Sequence, residues 1–359
     1  MSGTFQLVRY RKSDREEVFR FLRAVHPAVE SDRLMKQWDW KYDANPFNLQ
    51  ADPYILLWKA SGKVIGMMGG IPLRVSIAGQ EHWVSCACDM VADYACRGRG
   101  FSRRIIKQYV ADNPLSFAFL NDISHRAVTL LRIMENSCRL PLMVKPLDFG
   151  QFLRRATGKT LIGRWAHLFA TGAQYIVRPF RAPRVVPGVI VTQVDAFDDR
   201  VDLLCQQACR AYPVIVVRDQ QYLNWRFVQR PEAAYTLLVA SRGPDLVRYL
   251  VLRVSETAGV RWGFLVDFLV EEKSPSILGL LVAKAAERSR QEGAETLSCL
   301  ATTQLSVRTL YRQGFYPWRW GQWGYFGAVV SPGEASPKVF GDSRQWFLTM
   351  GDGDLEMAF

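Results

Sequence analysis

A short aromatic signature occurs twice in this chain, and similar segments follow it each time in the same order. Asp39-Trp40-Lys41-Tyr42 stands ahead of Pro46, and Leu223-Asn224-Trp225-Arg226-Phe227 stands ahead of Pro231. Tyr54-Ile55-Leu56-Leu57 is echoed by Tyr235-Thr236-Leu237-Leu238, and Cys88-Asp89 by Val266-Asp267. Chance matches rarely keep their order, so the pattern predicts two copies of one supersecondary plan. A length of 359 residues suits two domains better than one.

Local patterning fills in the first copy. Alternation over residues 5–10 predicts a strand, and Ser13-Asp14 can cap a helix whose apolar face holds Val18, Phe19, Leu22 and Val25. The aromatic stretch 34–48 reads as a substrate-side helix or as core packing, and the cost of exposing tryptophan favours packing. Strands are expected over residues 54–60 and 64–75, with Ser61-Gly62-Lys63 turning the chain between them. Further strands are expected over 83–95 and 115–120, then a helix from Ser124 through Met134. A strand over 142–146 is expected to close this first sheet.

Between the strand ending near Ala95 and the helix starting at Phe101 lies Cys96-Arg97-Gly98-Arg99-Gly100, followed by Phe101-Ser102-Arg103-Arg104. A helix N-terminus presents free amides with a partial positive charge, and glycines let a pyrophosphate approach the backbone. Arg97, Arg99, Arg103 and Arg104 add charge at the same point. The order strand, glycine turn, basic helix favours a phosphate cradle over a solvated turn.

The run Arg97-Gly98-Arg99-Gly100-Phe101-Ser102 resembles the acyl-CoA pyrophosphate loop of the Gcn5-related N-acetyltransferases, which reads Gln/Arg-x-x-Gly-x-Gly/Ala. Arg97 and Gly100 match, and Ser102 stands where that family usually has Gly or Ala. The resemblance covers residues 5–147 and extends to the second copy through the echoes. It implies an α/β (α+β) fold of two tandem acetyltransferase-like domains, each a mixed, mostly antiparallel twisted sheet flanked by helices. The expected division is an N-terminal acyl-CoA-binding domain at 1–147, a basic amphipathic linker at 148–190, a degenerate C-terminal domain at 191–335 and a tail at 336–359.

The resemblance also implies a site. The sheet should splay between the pre-loop strand and the next, admitting the acyl thioester. Backbone amides of Met90, Val91 and Ala92 would polarise its carbonyl, Arg97, Gly98, Arg99, Gly100, Phe101 and Ser102 would hold the pyrophosphate, and Asn121 and Ser124 would contact the pantetheine arm or acyl group. Leu310-Tyr311-Arg312-Gln313-Gly314-Phe315 resembles the family's late Leu-Tyr-x-x-x-Gly-Phe segment in a form one residue shorter. There the tyrosine often protonates the departing thiolate. The first copy has Arg132-Ile133-Met134-Glu135-Asn136 in that region, so its general acid is unassigned.

Acyl transfer to an alkyl amine with a pKa near ~10.4 needs help, because only about one part in a few thousand is neutral at pH 7. Asp89, on the strand entering the cradle, is either that base or a structural carboxylate. His125, one of four histidines, is either a second catalytic candidate near the gap or a helix-surface residue. After Asp267 the second copy lacks the glycines and carries Glu271 and Glu272, the wrong sign for phosphates. The expected activity is therefore an acyl-CoA-dependent N-acyltransferase with an active first copy. Its co-substrate is acetyl-CoA or another acyl-CoA, with acetyl taken as the group moved. No metal is expected. The acceptor is an amine, and the Trp-rich segment before Pro46 suggests an amino sugar of polysaccharide assembly.

The net charge of +12 calls for a polyanionic partner such as coenzyme A, nucleic acid or a membrane face. Residues 151–184 hold seven Arg and Lys and no acidic residue. They read as a solvated connector or as an amphipathic segment docking peripherally on a membrane. The polar start is not signal-like, no run approaches a membrane span, and seven cysteines without framework spacing suit a reducing compartment. A cytoplasmic location follows, with the inner membrane face as a possible address. Two other activities fit the charge: an aminoacyl-tRNA-dependent aminoacyl transferase of cell-wall assembly, which the phosphate loop disfavours, and a non-catalytic scaffold.

Overall fold

The structure is a computed structural model that describes residues 5–96, 100–134, 136–148, 186–257, 259–270, 275–318, 324–331 and 338–353. The basic segment 151–184 and Glu271 and Glu272 lie outside the described residues.

The first copy runs β1 (Phe5–Arg9), α1 (Arg15–Val25), α2 (Ala28–Lys36), a π-helical turn at Asp39–Asp43, β2 (Ile55–Ala60), β3 (Lys63–Ile77) and β4 (Gln80–Ala92). It continues with α3 (Phe101–Asp112), β5 (Leu115–Leu120), α4 (Asp122–Leu130) and β6 (Cys138–Arg139), after which comes β7 (Leu142–Pro146). The second copy runs β8 (Val189–Val194), α5 (Arg200–Ala211), β9 (Val214–Val216), α6 (Gln220–Phe227), β10 (Thr236–Arg242), β11 (Asp245–Thr257) and β12 (Val260–Phe268). Then come α7 (Pro275–Gln291), β13 (Thr296–Leu300), α8 (Gln304–Arg312), β14 (Tyr316–Pro317), β15 (Tyr325–Val330) and β16 (Trp346–Phe347).

Two sheets follow the same path, β1-β2-β3-β4-β5-β15-β6 and β8-β10-β11-β12-β13-β7-β14. The seven-strand path is therefore duplicated in order, with one exchange, while β9 and β16 extend the first sheet alone, β9 running antiparallel to β3 with Val214 opposite Ile77. The strand expected to close the first sheet closes the second instead: β7 runs antiparallel to β13, from Leu142 opposite Leu300 to Pro146 opposite Thr296. In return β15 runs antiparallel to β5, from Tyr325 opposite Leu120 to Val330 opposite Leu115. Leu142, Met143 and Val144 are all buried, as a strand covered on both faces requires. Each copy thus completes the other, and the pairing keeps β5 and β13 from becoming bare sheet edges.

The two tryptophans of the repeated signature meet at the centre. Trp40 and Trp225 stack with centroids 5.1 Å apart, and each indole Nε1 donates to the other's carbonyl oxygen, at 2.7 Å from Trp40 and 3.1 Å from Trp225. Burial of both rings with both N–H groups satisfied is what makes indole tolerable there. The segment thus packs as expected, though as the hub between copies. α1 buries Val18, Phe19, Phe21 and Leu22 against the sheet, and Asn121, Asp219 and Thr303 cap α4, α6 and α8 by accepting from backbone amides. The helix expected through Met134 ends at Leu130. Among the described residues no helix is long and apolar enough to cross a membrane.

Candidate active site

β4 and β5 are parallel neighbours only from Ser85–Ala87 against Ser116–Ala118. Past Ala87 and Ala118 they part. A cleft of about 1070 Å³ occupies the gap and reaches from Gly100, Ser102 and Arg103 at the start of α3 to Asp89 on β4 and His26 beyond α1. Among the described residues the backbone of β4 past Ala87 has no strand partner on this side. Asp93 donates its amide to Ile65 O on β3, so strand alternation turns the Ala92 and Met90 amides toward the cleft and the Val91 amide toward β3. Of the three expected amides, two thus face the gap, while Val91 contributes its side chain to the lining.

The start of α3 is shaped by Gly100. Gly100 has φ 75°, in the left-handed region, and a Cβ there would meet nothing within 4 Å, so backbone angle rather than space asks for glycine. Among the described residues no side chain caps the first turn of α3; Arg103 lines the cleft, and the Arg104 guanidinium stands over the Trp58 ring at 5.8 Å. Phe101 itself is an anchor. Its ring meets Trp58 edge-on at 5.7 Å and lies against Gly66, where any Cβ would strike it. Arg97, Gly98 and Arg99 lie outside the described residues.

Asp89 occupies a β-bulge. The pairing of β4 with β3 slips between Met67 and Gly69, and Asp89 takes φ 50°, a costly angle for a residue with a Cβ. Its carboxylate accepts from Lys41 Nζ at 3.0 Å and from Tyr42 OH at 2.6 Å. Lys41 is nearly buried, with a side chain 5% exposed. Tyr42 reaches Asp89 only because Gly69 has no side chain; a Cβ there would overlap the phenol oxygen. Burial, with the Asp89 charge behind it, holds the Tyr42 pKa well above its usual value, so Tyr42 remains a neutral donor. Lys41, Tyr42 and Asp89 all line the cleft. The sequence reading took Lys41 and Tyr42 for packing. The missed signal was a lysine inside a tryptophan-rich stretch, since a buried ammonium requires a carboxylate.

Asn121 and Ser124 line the same cleft and bind each other, Ser124 donating N–H and Oγ–H to Asn121 Oδ1 at 2.9 Å each. His125 is placed elsewhere. Its ring stacks on Tyr325 at 3.7 Å, its Nε2 meets Ser137 Oγ at 2.9 Å, and it does not line the cleft. α4 turns successive side chains about 100° apart, so Ser124 and His125 cannot share a face. Among the described residues no group of three or more His, Cys, Asp and Glu could hold a metal ion.

The second copy has the same skeleton and a filled gap. β12 and β13 pair from Trp262–Leu265 and then part. Asp267, the counterpart of Asp89, accepts from Arg218 Nε at 3.1 Å, Tyr249 OH at 2.8 Å and Thr349 Oγ1 at 2.6 Å. Arg218 also grips Asp352 at 2.6 and 2.7 Å. Arg226, the counterpart of Lys41, donates to the carbonyls of Gly351 and Gly353. On the β13 side, Thr302 Oγ1 donates to Trp346 O at 2.8 Å and accepts from Leu348 N at 2.9 Å. The run from Trp346 to Gly353 is therefore tied both to Asp267 at the end of β12 and to Thr302 beyond β13. Burial opposes the Arg218 charge, but Asp267 and Asp352 outweigh it and hold its pKa well above the usual value. Tyr311 is exposed and meets Tyr316 edge-on, with ring centroids 5.5 Å apart.

Parallel strands that splay ahead of a helix, in two copies of one sheet plan, match the tandem fold of solved N-acetyltransferases and N-myristoyltransferases. This chain has that fold. N-myristoyltransferase of Saccharomyces cerevisiae with bound myristoyl-CoA superposes with a TM-score of 0.56 at 12% identity, covering 92% of this chain and 82% of that one. A Gcn5-related N-acetyltransferase from Anabaena variabilis gives 0.60 at 12% identity over 91% and 73%. A probable N-acyltransferase from Enterococcus faecalis gives 0.57 at 12% identity over the same shares. No family model matches the chain, and a sequence search of curated proteins returned no match.

Proposed function

We propose that the chain is an acyl-CoA-dependent N-acyltransferase whose first copy holds the donor. The observation that carries this is the open gap between β4 and β5, which joins the α3 N-terminus to the Asp89 bulge in one continuous cleft. The solved structures of like fold, one of them holding myristoyl-CoA, support the same class of donor.

The pyrophosphate rests on the α3 amides with Arg103 and Arg104 alongside, and the thioester carbonyl oxygen accepts from the cleft-facing amides of Met90 and Ala92. The acceptor amine attacks the carbonyl carbon, a C–N bond forms, the C–S bond breaks and coenzyme A leaves as its thiol. Lys41 and Tyr42 neutralise the Asp89 carboxylate and fix the bulge that aims those amides. Asp89 thus acts chiefly as a positioning residue, and the amine proton leaves through solvent in the open cleft. The acceptor reaches the carbonyl from the α1–α2 side, where His26, Glu30 and Gln37 offer hydrogen bonds. A polar amine such as an amino sugar suits those side chains. A coenzyme A donor places the reaction in the cytoplasm, and segment 151–184 is the proposed contact with a membrane face.

Thermal melting tests the proposal. Acyl-CoA at about a hundred times its Kd should stabilise the protein by about 2.7 kcal/mol. No shift with any coenzyme A thioester, alongside salt-sensitive tRNA binding, would support aminoacyl transfer instead.

A further inference from the structure

The α1–α2 side of the cleft holds a histidine already joined to a carboxylate. His26 ends α1 and Glu30 follows one helical turn later in sequence, on α2, and both line the cleft. His26 Nδ1 lies 3.3 Å from Glu30 Oε2, and the imidazole is 19% exposed. A carboxylate beside Nδ1 draws the ring proton to that nitrogen and leaves Nε2 with its lone pair. Among the described residues Glu30 is the ring's one polar partner, so Nε2 is left to whatever enters the cleft.

The second copy shows how far a side chain at this position reaches. His26 caps the C-terminus of α1 in extended backbone, with φ −114° and ψ 152°, and Tyr212 caps α5 in the same way, with φ −106° and ψ 134°. From there Tyr212 extends to the strand, its OH donating to Val270 O at 2.5 Å. Val270 stands three residues past Asp267, as Ala92 stands three past Asp89. The cap position of the closed copy therefore delivers a polar atom to the backbone whose counterpart, at Ala92, turns its amide to the open cleft. An imidazole is shorter than a phenol and stops short of that contact. His26 and Ala92 both line the cleft, so in the open copy the interval between them is cleft.

Resting on the acyl-CoA reading above, we propose that His26 is the base that receives the acceptor's proton, with Glu30 as its positioning residue. The amine nitrogen lies between Nε2 and the thioester carbonyl carbon. As the C–N bond forms, the amine proton passes to Nε2, the first stop on its way to solvent. The C–S bond then breaks, and the imidazolium returns a proton through solvent to the departing thiolate, so none is consumed. Arg33 on α2 lines the same cleft, as do Cys88 and Asp89 on β4 and Tyr94 and Cys96 after it. The remaining titratable side chains of the lining are Lys41, Tyr42, Arg103 and Arg230. Asp89 already accepts from Lys41 and Tyr42, which makes His26 the better placed base.

Single-turnover release of coenzyme A from acetyl-CoA, with hydroxylamine as a small amine probe, tests this. Each rate is divided by that of the same reaction without protein, so the probe's own titration cancels. The whole chain should accelerate the reaction about a hundredfold, and the acceleration should fall away from about pH 8 to 5, where imidazoles gain a proton. His26→Gln should lose both the acceleration and its pH dependence while binding acetyl-CoA within about twofold of wild type. Glu30→Gln should lose about tenfold and keep the pH dependence, since it orients the base without replacing it. Equal acceleration in His26→Gln, or a loss of the same size at both ends of the pH range, would overturn the base assignment. A wild-type chain that binds acetyl-CoA with no acceleration, or with one that does not vary with pH, would overturn it without recourse to a variant. Failure of acetyl-CoA to bind would instead overturn the donor site on which the proposal rests.

Discussion

Two clefts of common plan have opposite fates in this molecule. In the first copy, Asp89 is held by Lys41 and Tyr42, and the space beyond it is open. In the second, Asp267 is held by Arg218, Tyr249 and Thr349, and the chain from Trp346 to Gly353 occupies the corresponding space. Both copies keep the carboxylate at the strand bend. Each carboxylate accepts from a phenol, Tyr42 or Tyr249; what differs is the cation, one lysine in the first copy and a buried arginine joined to a second carboxylate in the second. Asp267, tied to Arg218, Tyr249 and Thr349, has structural value at this position, and the same value is open to Asp89.

The comparison can be broken most directly at the phosphate end. Gly100→Glu forces a Cβ into the left-handed region and sets a carboxylate where phosphates bind. Acyl-CoA binding should fall below detection by calorimetry while the circular dichroism spectrum is retained. Unchanged affinity would remove the cradle from the account.

The next largest effect lies in the closed copy. Arg218→Met strips compensation from Asp267 and Asp352, and losing one member of a buried ionic cluster costs about 3–5 kcal/mol. Chemical denaturation should show that loss, with acyl-CoA affinity of the remaining folded protein within about twofold of wild type. A large change in affinity would mean that the second copy touches the donor.

Asp89→Asn sharpens the comparison at the open site. A positioning role predicts a fall in kcat of about tenfold with Kd for acyl-CoA nearly constant, because misplaced amides weaken transition-state binding more than ground-state binding. A general-base role predicts a larger fall together with loss of the acid limb of the pH–rate profile. Retention of that limb in Asp89→Asn is the signature of positioning.

The smallest effect tests the segment leading into the closed cleft. Hydrogen bonds from Arg344 hold the Asp342 pKa down at about 2. Its contribution is present above the unfolded carboxylate pKa and is lost as pH falls toward about 2. The pair is largely solvent-facing, so the acid-side loss should be a few tenths of a kcal/mol and shrink with salt, read as the difference between wild type and Asp342→Asn. A salt-independent loss would contradict a surface pair.

The fold was legible in the sequence to the extent that it is local or repeated. Ordered echoes of Trp40 and Trp225 and of Asp89 and Asp267 gave the duplication, and alternation placed β2 through β5 within a few residues. The exchange of β7 and β15 was not legible, because an apolar run such as Leu142-Met143-Val144 reports that it is buried, not which sheet buries it. Gly100 and Asp89 stood out through chemistry that needs a glycine turn and a carboxylate. Lys41 and Tyr42 did not, because their role depends on Gly69 giving way across the sheet. Which of the two readings of His125 holds was not legible, since proximity in sequence to a gap does not fix which helix face a residue takes.

The central claim is that one copy binds donor and the other is closed by its own chain. Isothermal titration of the full chain with a coenzyme A thioester tests it through stoichiometry. One molecule per chain, abolished by Gly100→Glu, is the result expected; two molecules per chain, or one that survives Gly100→Glu, would contradict it.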